Sequence, residues 1–595
     1  MVRRTILCRM SVLPPENLIG MNGLQVKGTK TIPKDTKRLP RGSFLVLSNY
    51  STTFREIKLP GHRIYYVPPR MVGSIADWSG RDRTDGASWL VDHAADMGFN
   101  AIWFSPLGQP TAVEKISHGQ MRSGSYYAQR DHFRLGDEFS AGLGSDEDLK
   151  HLQHFAQKAR EKGVRLYADL VCNHVAADHP LVHDEDRAIA DILKKTGGEV
   201  EHIRGSKGKL IGLAWRENGE EKSFYLKFRR KDDFTLLIGG PAEDPWSDVA
   251  HINYSSPEAK RFFIFGDDKE QGYFKKVIDW SLKAGFSDFR CDAAYLIPPD
   301  CWQALINHAR AQKPDAVFMA ETLTTDVEKV ERLQKATLTD ASGKARPAFD
   351  LGMLGIYWWN FRDDWLPKAE VPRVNAMAKF GGAGSPDNHD TENTIAGSAR
   401  KAFNNAADAN RHIAEVSVRD YAVSVMTGNS SYMQMGYEYC NEKQNHVFKG
   451  QVTPQDFANL QNTRGGGEMD IRARIRAINA LHENMDIKNC RVAFRHHGTV
   501  GDGSILRLAL DYVDADSGAV KASAVLLMNR KPEKGPVPLP AAYADELAQA
   551  GLSAAESNDS GGTIRDVAIF HTPIPPVMAP QAAPRRAAGG RHPRP

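Results

Sequence analysis

The chain has 595 residues, 41% of them hydrophobic, with 77 basic and 73 acidic side chains and a net charge of +4. That length exceeds one ordinary domain, and the apolar fraction is enough to bury a sizeable core. The near balance of charge argues against a nucleic-acid or anionic-membrane partner, and no apolar run approaches the roughly 20 residues of a membrane span.

Residues 1–10 carry Arg3 and Arg4 and then Thr5-Ile6-Leu7-Cys8. The apolar part is shorter than a secretory core of about 7–15 residues, so it reads as a strand. Residues 1–60 hold β-type runs such as Ser43-Phe44-Leu45-Val46-Leu47 and form a small N-terminal β-rich piece. Ile64-Tyr65-Tyr66-Val67, stopped by Pro68-Pro69, is the first strand of a larger unit. Helical spacing over 86–97 ends at Gly98, and 100–106 is an apolar second strand. A helix over 149–162 and a third strand over 164–171 repeat the pattern, with Asn173-His174 at the strand end. Strand and helix at this interval predict βα units around a parallel sheet.

The periodicity weakens over 175–255, where Lys207, Lys209, Arg229, Arg230 and Lys231 read as solvated surface; attraction of a phosphorylated sugar is the functional alternative. A helix over 272–284 leads into Gly285-Phe286-Ser287-Asp288-Phe289-Arg290-Cys291-Asp292, a short buried strand ending in charge. Pro298-Pro299 opens the next helix, and Val317-Phe318-Met319-Ala320-Glu321 is a further strand ending in a carboxylate. Phe349-Asp350-Leu351 is read as the sixth strand, followed by Tyr357, Trp358, Trp359, Phe361 and Trp365 as core aromatics. A strand ending at Asp390, a helix over 418–426 and a strand over 431–438 complete the set. Alternating runs at 505–510 and 524–529 predict a C-terminal β-sandwich, and the Pro, Ala, Arg and Gly of the tail predict disorder.

Side chains two apart in a strand share a face, so Arg290 and Asp292 point the same way. A cation beside a carboxylate favours its ionised form, as a nucleophile requires. Strands that each deliver one polar residue at their C-terminal edge are the layout of a (β/α)8 barrel active site.

Four ordered pieces, Asp169-Leu170-Val171-Cys172-Asn173-His174, Phe289-Arg290-Cys291-Asp292, Ala320-Glu321 and Asn388-His389-Asp390, resemble the α-amylase family of retaining glycosidases and transglycosidases. The resemblance implies an α/β fold, a (β/α)8 TIM barrel at 61–485 with an insertion at 175–255 after strand 3. A 1–60 N-terminal piece, a 486–574 C-terminal β domain and a 575–595 tail flank it. It implies Asp292 as nucleophile, Glu321 as acid/base and Asp390 as the acid holding sugar hydroxyls. Arg290 and His389 support them, Tyr127 stacks on the sugar with Asp131 behind it, and His174 hydrogen-bonds the sugar. Asp169 takes a structural role, and Asn173 lies near calcium in members that bind it. A retaining pair needs carboxyls about 5–5.5 Å apart with split pKa values, Asp292 low and Glu321 high.

The implied substrate is an α-glucan or maltooligosaccharide. Segments 297–302, 320–322 and 436–438 look similar to the maltosyltransferase branch that uses maltose 1-phosphate. Members often carry Lys-His after the nucleophile, where this chain has Tyr295-Leu296; that favours short or branched α-glucans. Hydrolysis and transfer both remain open. A non-catalytic glycan-binding scaffold is the reading from another class, and the three retained acids argue against it.

His174, Asp178, His179, His183 and Asp184 crowd together, yet no H-E-x-x-H accompanies them and no metal site is assigned. No cofactor is required, and calcium is not indicated by the residues themselves. The six cysteines, at 8, 172, 291, 301, 440 and 490, form no C-x-x-C pair, and a reducing cytoplasm is the expected setting.

Overall fold

Eight short strands close into a parallel barrel in the computed structural model. They are β1 (Arg63–Val67), β2 (Ala101–Phe104), β3 (Arg165–Leu170), β4 (Asp288–Cys291), β5 (Phe318–Ala320), β6 (Leu351–Met353), β7 (Gly381–Gly384) and β8 (Ser430–Gln434). Residues 59–573 are described, apart from undescribed stretches of which the longest are 182–191, 226–234, 237–247 and 359–365. The expected N-terminal piece, all but its last residues, and the tail lie outside the described residues. So do Lys207, Lys209, Arg229, Arg230, Lys231, His183, Asp184, Trp359, Phe361 and Trp365.

The two-residue period of a strand decides what fills the ring. Ile64, Tyr66, Ala101, Trp103, Tyr167, Met319, Met353 and Tyr432 form one buried cluster inside it. Tyr65, Val67, Ile102, Phe104, Leu166, Phe289, Phe318 and Met433 point outward into the helical layer and the larger core. Packing on both faces is what a parallel sheet requires. The same parity sets the site. Two residues beyond Trp103, Tyr167 and Met319 come Ser105, Asp169 and Glu321, at the C-terminal rim of the interior. Register places Arg290 directly across from Asp169 on one side and Met319 on the other.

Helices follow the strands on the outside. The one over Tyr273–Ala284 ends at Gly285, whose φ of 101° terminates it and turns the chain into β4. The insertion after β3 is β-rich: His174–Ala176 pairs antiparallel with Val249–Ile252, and a separate sheet joins Glu201–Arg204, Leu210–Glu217 and Glu220–Tyr225.

The sixth and seventh strands differ from expectation. The sixth starts at Leu351, although the Asp350 backbone still bonds to Phe318 and Gly381 on the neighbouring strands, and its carboxylate accepts from Arg310 (2.6 Å) and the Phe318 amide (2.7 Å). The seventh is Gly381-Gly382-Ala383-Gly384 and ends before Ser385, so Asp390 sits on the following loop, not on a strand.

The C-terminal β unit is a five-stranded antiparallel sheet. Its inner face, with Leu506, Leu508, Leu510, Tyr512, Leu526 and Ile569, joins the barrel's outer core. Its outer face, with Ile505, Ala509, Val525 and Leu527, is covered by the helix Ala541–Gln549 and by a ribbon of Val537–Pro538 and Thr563–Ile564.

Candidate active site

One guanidinium organises the rim of the barrel. Arg290, fully buried, donates from Nη1 to Asp169 Oδ1 at 3.0 Å and to Asp292 Oδ1 at 2.7 Å, and from Nη2 to Glu321 Oε2 at 2.8 Å. β3, β4 and β5 are adjacent, so three carboxyls from three strands meet on one planar fork. Side-chain exposure separates them: Asp169 is 0% exposed, whereas Asp292 is 13% and Glu321 12% exposed. Asp169 is thus a buried counter-charge, and the other two reach the mouth.

The turn after Asp292 sharpens the arrangement. Ala293 has φ 42°, a left-handed conformation that a residue with a Cβ seldom adopts, and its amide donates to Glu321 Oε2 at 2.7 Å. The Arg290 and Ala293 donors both fall on Oε2. Burial pushes Glu321 up to about 8; Arg290 opposes that, and the charges of Asp292 and Asp390 add to it. Burial likewise raises Asp169 above the usual carboxylate range against the pull of Arg290. Burial thus favours the protonated form of Glu321.

Aromatic rings wall the site. Tyr127 donates from Oη to Asp169 Oδ2 at 2.9 Å, and its ring stacks on His389 with centroids 5.0 Å apart. His389 is buried and its pKa falls to about 3, through burial first and the nearby Arg290 second, so the ring is neutral. Its Nδ1 meets Tyr66 Oη at 2.9 Å, and Tyr66 also meets Ser105 Oγ at 2.7 Å. Asp390 lies further out, 52% exposed, with Oδ2 3.5 Å from His389 Nε2. Its amide donates to Asn388 Oδ1 at 2.9 Å.

The structure gathers Asp292, Glu321, Arg290, Tyr127 and His389 tightly, with Asp390 at the lip. His174 is buried where the insertion begins, its ring 5.6 Å from that of His251, with the Asn173 amide between them. The expected support of Tyr127 by Asp131 is corrected. Tyr127 leans on Asp169, while Asp131 Oδ1 accepts from its own Phe133 amide at 2.8 Å. Asp178 anchors a loop through Thr111 and Ala112, and His179 meets Tyr273 Oη at 3.3 Å. Among the described residues no group of three or more His, Cys, Asp or Glu side chains could hold a metal ion. Both Asp169 oxygens are taken by protein donors.

Sequence reasoning did not single out Trp103, Tyr66 or Ser105. Their signal is parity: each shares the inward face of a strand whose end carries polar chemistry.

Residues 82–236 match the family model for the alpha amylase catalytic domain. Alpha-amylase 3 of Dictyoglomus thermophilum is 21% identical over 259 residues, covering 42% of this chain and 42% of that protein. An alpha-1,4-glucan:maltose-1-phosphate maltosyltransferase of Burkholderia pseudomallei is 24% identical over 320 residues, covering 53% of this chain and 21% of that one. The chain thus spans less than half the length of these relatives. Among solved structures, Eubacterium rectale Amy13B aligns with a TM-score of 0.51 at 14% identity, over 87% of this chain and 96% of that one, a likeness of fold. Residues 82–236 thus match the alpha amylase catalytic-domain model, the barrel shares the fold of Amy13B, and alpha-amylases and maltosyltransferases are among the proteins the chain resembles.

Proposed function

We propose that this protein is a retaining glycoside hydrolase acting on the α-glucosidic bonds of maltooligosaccharide or glycogen-type glucans. The observation that carries the reading is the Arg290 fork, which holds one oxygen of Asp292 and one of Glu321 while both side chains keep some exposure at the barrel rim. Asp292 Oδ2 attacks the anomeric carbon as the bond to the leaving oxygen breaks, and a glycosyl ester forms on Asp292. Glu321 passes its proton to that leaving oxygen. It then takes a proton from the incoming hydroxyl, which attacks the same carbon and frees Asp292. Tyr127 offers an aromatic plane to the apolar face of the sugar, and His389 and Asp390 hold its hydroxyls. His174 acts from the insertion side.

A second reading is transfer to a sugar hydroxyl instead of water. It is supported by the maltosyltransferases among the relatives and by Leu296, which is 39% exposed just past Tyr295 and gives the rim an apolar element. A cytoplasmic setting completes the proposal, supported by the five described cysteines, all free and buried. No nucleic acid is expected as a partner, and no helix among the described residues is long and apolar enough to cross a membrane.

The experiment is product analysis on maltohexaose with and without inorganic phosphate, for the native protein and for Asp292→Asn. Glucose or maltose alone indicates hydrolysis, longer chains indicate transfer, and maltose 1-phosphate indicates the phosphate-using branch. Native-level turnover by pure Asp292→Asn protein would overturn the catalytic reading.

A further inference from the structure

We propose that Trp103 is a positioning residue: its indole N–H fixes Asp169, and Asp169 in turn fixes the Arg290 fork that carries the two reacting carboxyls. The inference rests on the catalytic reading above and deepens it.

Trp103 is fully buried inside the barrel, and Nε1 donates to Asp169 Oδ2 at 3.1 Å. An indole nitrogen can only donate, so the contact has one sense and favours the ionised carboxylate. The ring is locked in place. It stacks on Tyr66 with centroids 4.0 Å apart and an interplanar angle of 26°. It meets Tyr432 edge-on at 5.6 Å. The Arg290 guanidinium carbon lies 5.2 Å from its centroid. The same side chain therefore touches both the counter-charge and the cation.

Filling the ring would not require the N–H, since an apolar side chain of similar volume packs as well. What the N–H adds is a further neutral donor on Oδ2, beside Tyr127 Oη at 2.9 Å and a longer contact from Arg290 Nη1 at 3.3 Å, while Oδ1 receives Arg290 at 3.0 Å. Asp169 is faced by Arg290, Asp292, Tyr127, Tyr66, Cys172 and Cys291. Of these only Arg290 favours its ionised form by charge, and burial works against that form. The neutral donors on Oδ2 therefore add to Arg290 in favouring the charged form against burial. Without the indole N–H, Asp169 takes up a proton more readily, stops balancing Arg290, and releases the fork from its fixed plane.

The test replaces Trp103 by benzothienylalanine, which keeps the ring shape and substitutes sulfur for N–H, alongside Trp103→Phe, Asp169→Asn and the Trp103→Phe/Asp169→Asn pair. Turnover of maltohexaose is measured across pH, with thermal unfolding of each protein. The benzothienyl protein should melt like the native one, lose about tenfold in kcat with KM nearly unchanged, and show the acid limb of kcat moved up by about one pH unit. The double variant should be no slower than Asp169→Asn alone, because the indole acts through that carboxyl. Native kcat and an unmoved acid limb in the benzothienyl protein would overturn the inference and reduce Trp103 to packing. Fully additive losses in the double variant would overturn it equally. Failure of the catalytic reading itself is a separate result, namely turnover by Asp292→Asn.

Discussion

Arg290→Lys keeps the positive charge and removes the fork. In the native site one planar guanidinium makes contacts of 3.0, 2.7 and 2.8 Å to three carboxyls on three strands. An ammonium has three donors, but they radiate from one nitrogen and cannot span the positions that the planar fork reaches on three strands, so it is expected to keep one of these contacts. Losing two charge-assisted hydrogen bonds, each worth about 1.5–3 kcal/mol, removes about 3–6 kcal/mol of interaction that holds the reacting oxygens in place. If that loss falls on the transition state, kcat/KM drops by about 100- to 10,000-fold. The carboxyls left without a partner will take up protons, and Glu321, already pushed up by burial, moves further up. The assay is steady-state turnover of maltohexaose over pH 5–9, with near-ultraviolet circular dichroism to show that the barrel is intact. A folded Arg290→Lys protein within about fivefold of native kcat/KM, with the native pH profile, would refute the argument that the planar fork, rather than its charge, organises the site.

Glu321 carries a stability signature of its own. Its folded pKa is raised from 4.5 to about 8, chiefly by burial, so the fold binds a proton that the unfolded chain gives up. Its contribution is therefore present below the unfolded value and is lost as pH rises through the folded one, by about 1.4 kcal/mol per pH unit within the window. Glu321→Gln should abolish turnover and grow more stable relative to the native protein as pH rises from 5 to 8. Urea unfolding at pH 5, 6.5 and 8 checks this, and a constant difference between the two proteins contradicts it. Gly285→Ala should destabilise by about 1–3 kcal/mol, because the residue holds φ 101° and a Cβ there would lie 2.4 Å from Ala156 Cβ. Denaturant midpoints measure it; an unchanged midpoint would mean that the helix over Ser145–Glu161 yields easily.

The parts of the fold that were readable are those where local pattern and tertiary environment agree. β1, β2 and β3 are apolar runs closed by proline, glycine or charge, and they lie where such runs predict. β7 was not readable, since three glycines and an alanine have no strand preference. The reason is steric: a Cβ at Gly384 would sit 2.1 Å from Ser424 O on the neighbouring helix. Chain with so little side-chain signal carries no strand pattern, and the acid-bearing segment that follows it carries the stronger local signal. In the site, Arg290 and Asp292 were legible as a pair because their contact is two residues apart in one strand. That Asp169 and Glu321 share the same guanidinium depends on the register of three strands distant in sequence, which no local pattern records.

The helix Ala409–Met426 is buried on nearly every side, with 15 of its 18 residues enclosed. One flank belongs to the ring and the other to the C-terminal sheet, where Tyr512 Oη donates to Met426 O at 2.9 Å and Arg419 Nη1 donates to Asn529 O at 3.2 Å. A helix of that kind has no face for water, so it cannot settle while the residues that cover it are still inside the ribosome. It also precedes β8, the strand that must find β1 to shut the ring. Completion of the rim is thereby deferred until the C-terminal sheet has been made, and until then the nascent chain carries an open sheet edge that invites misassociation.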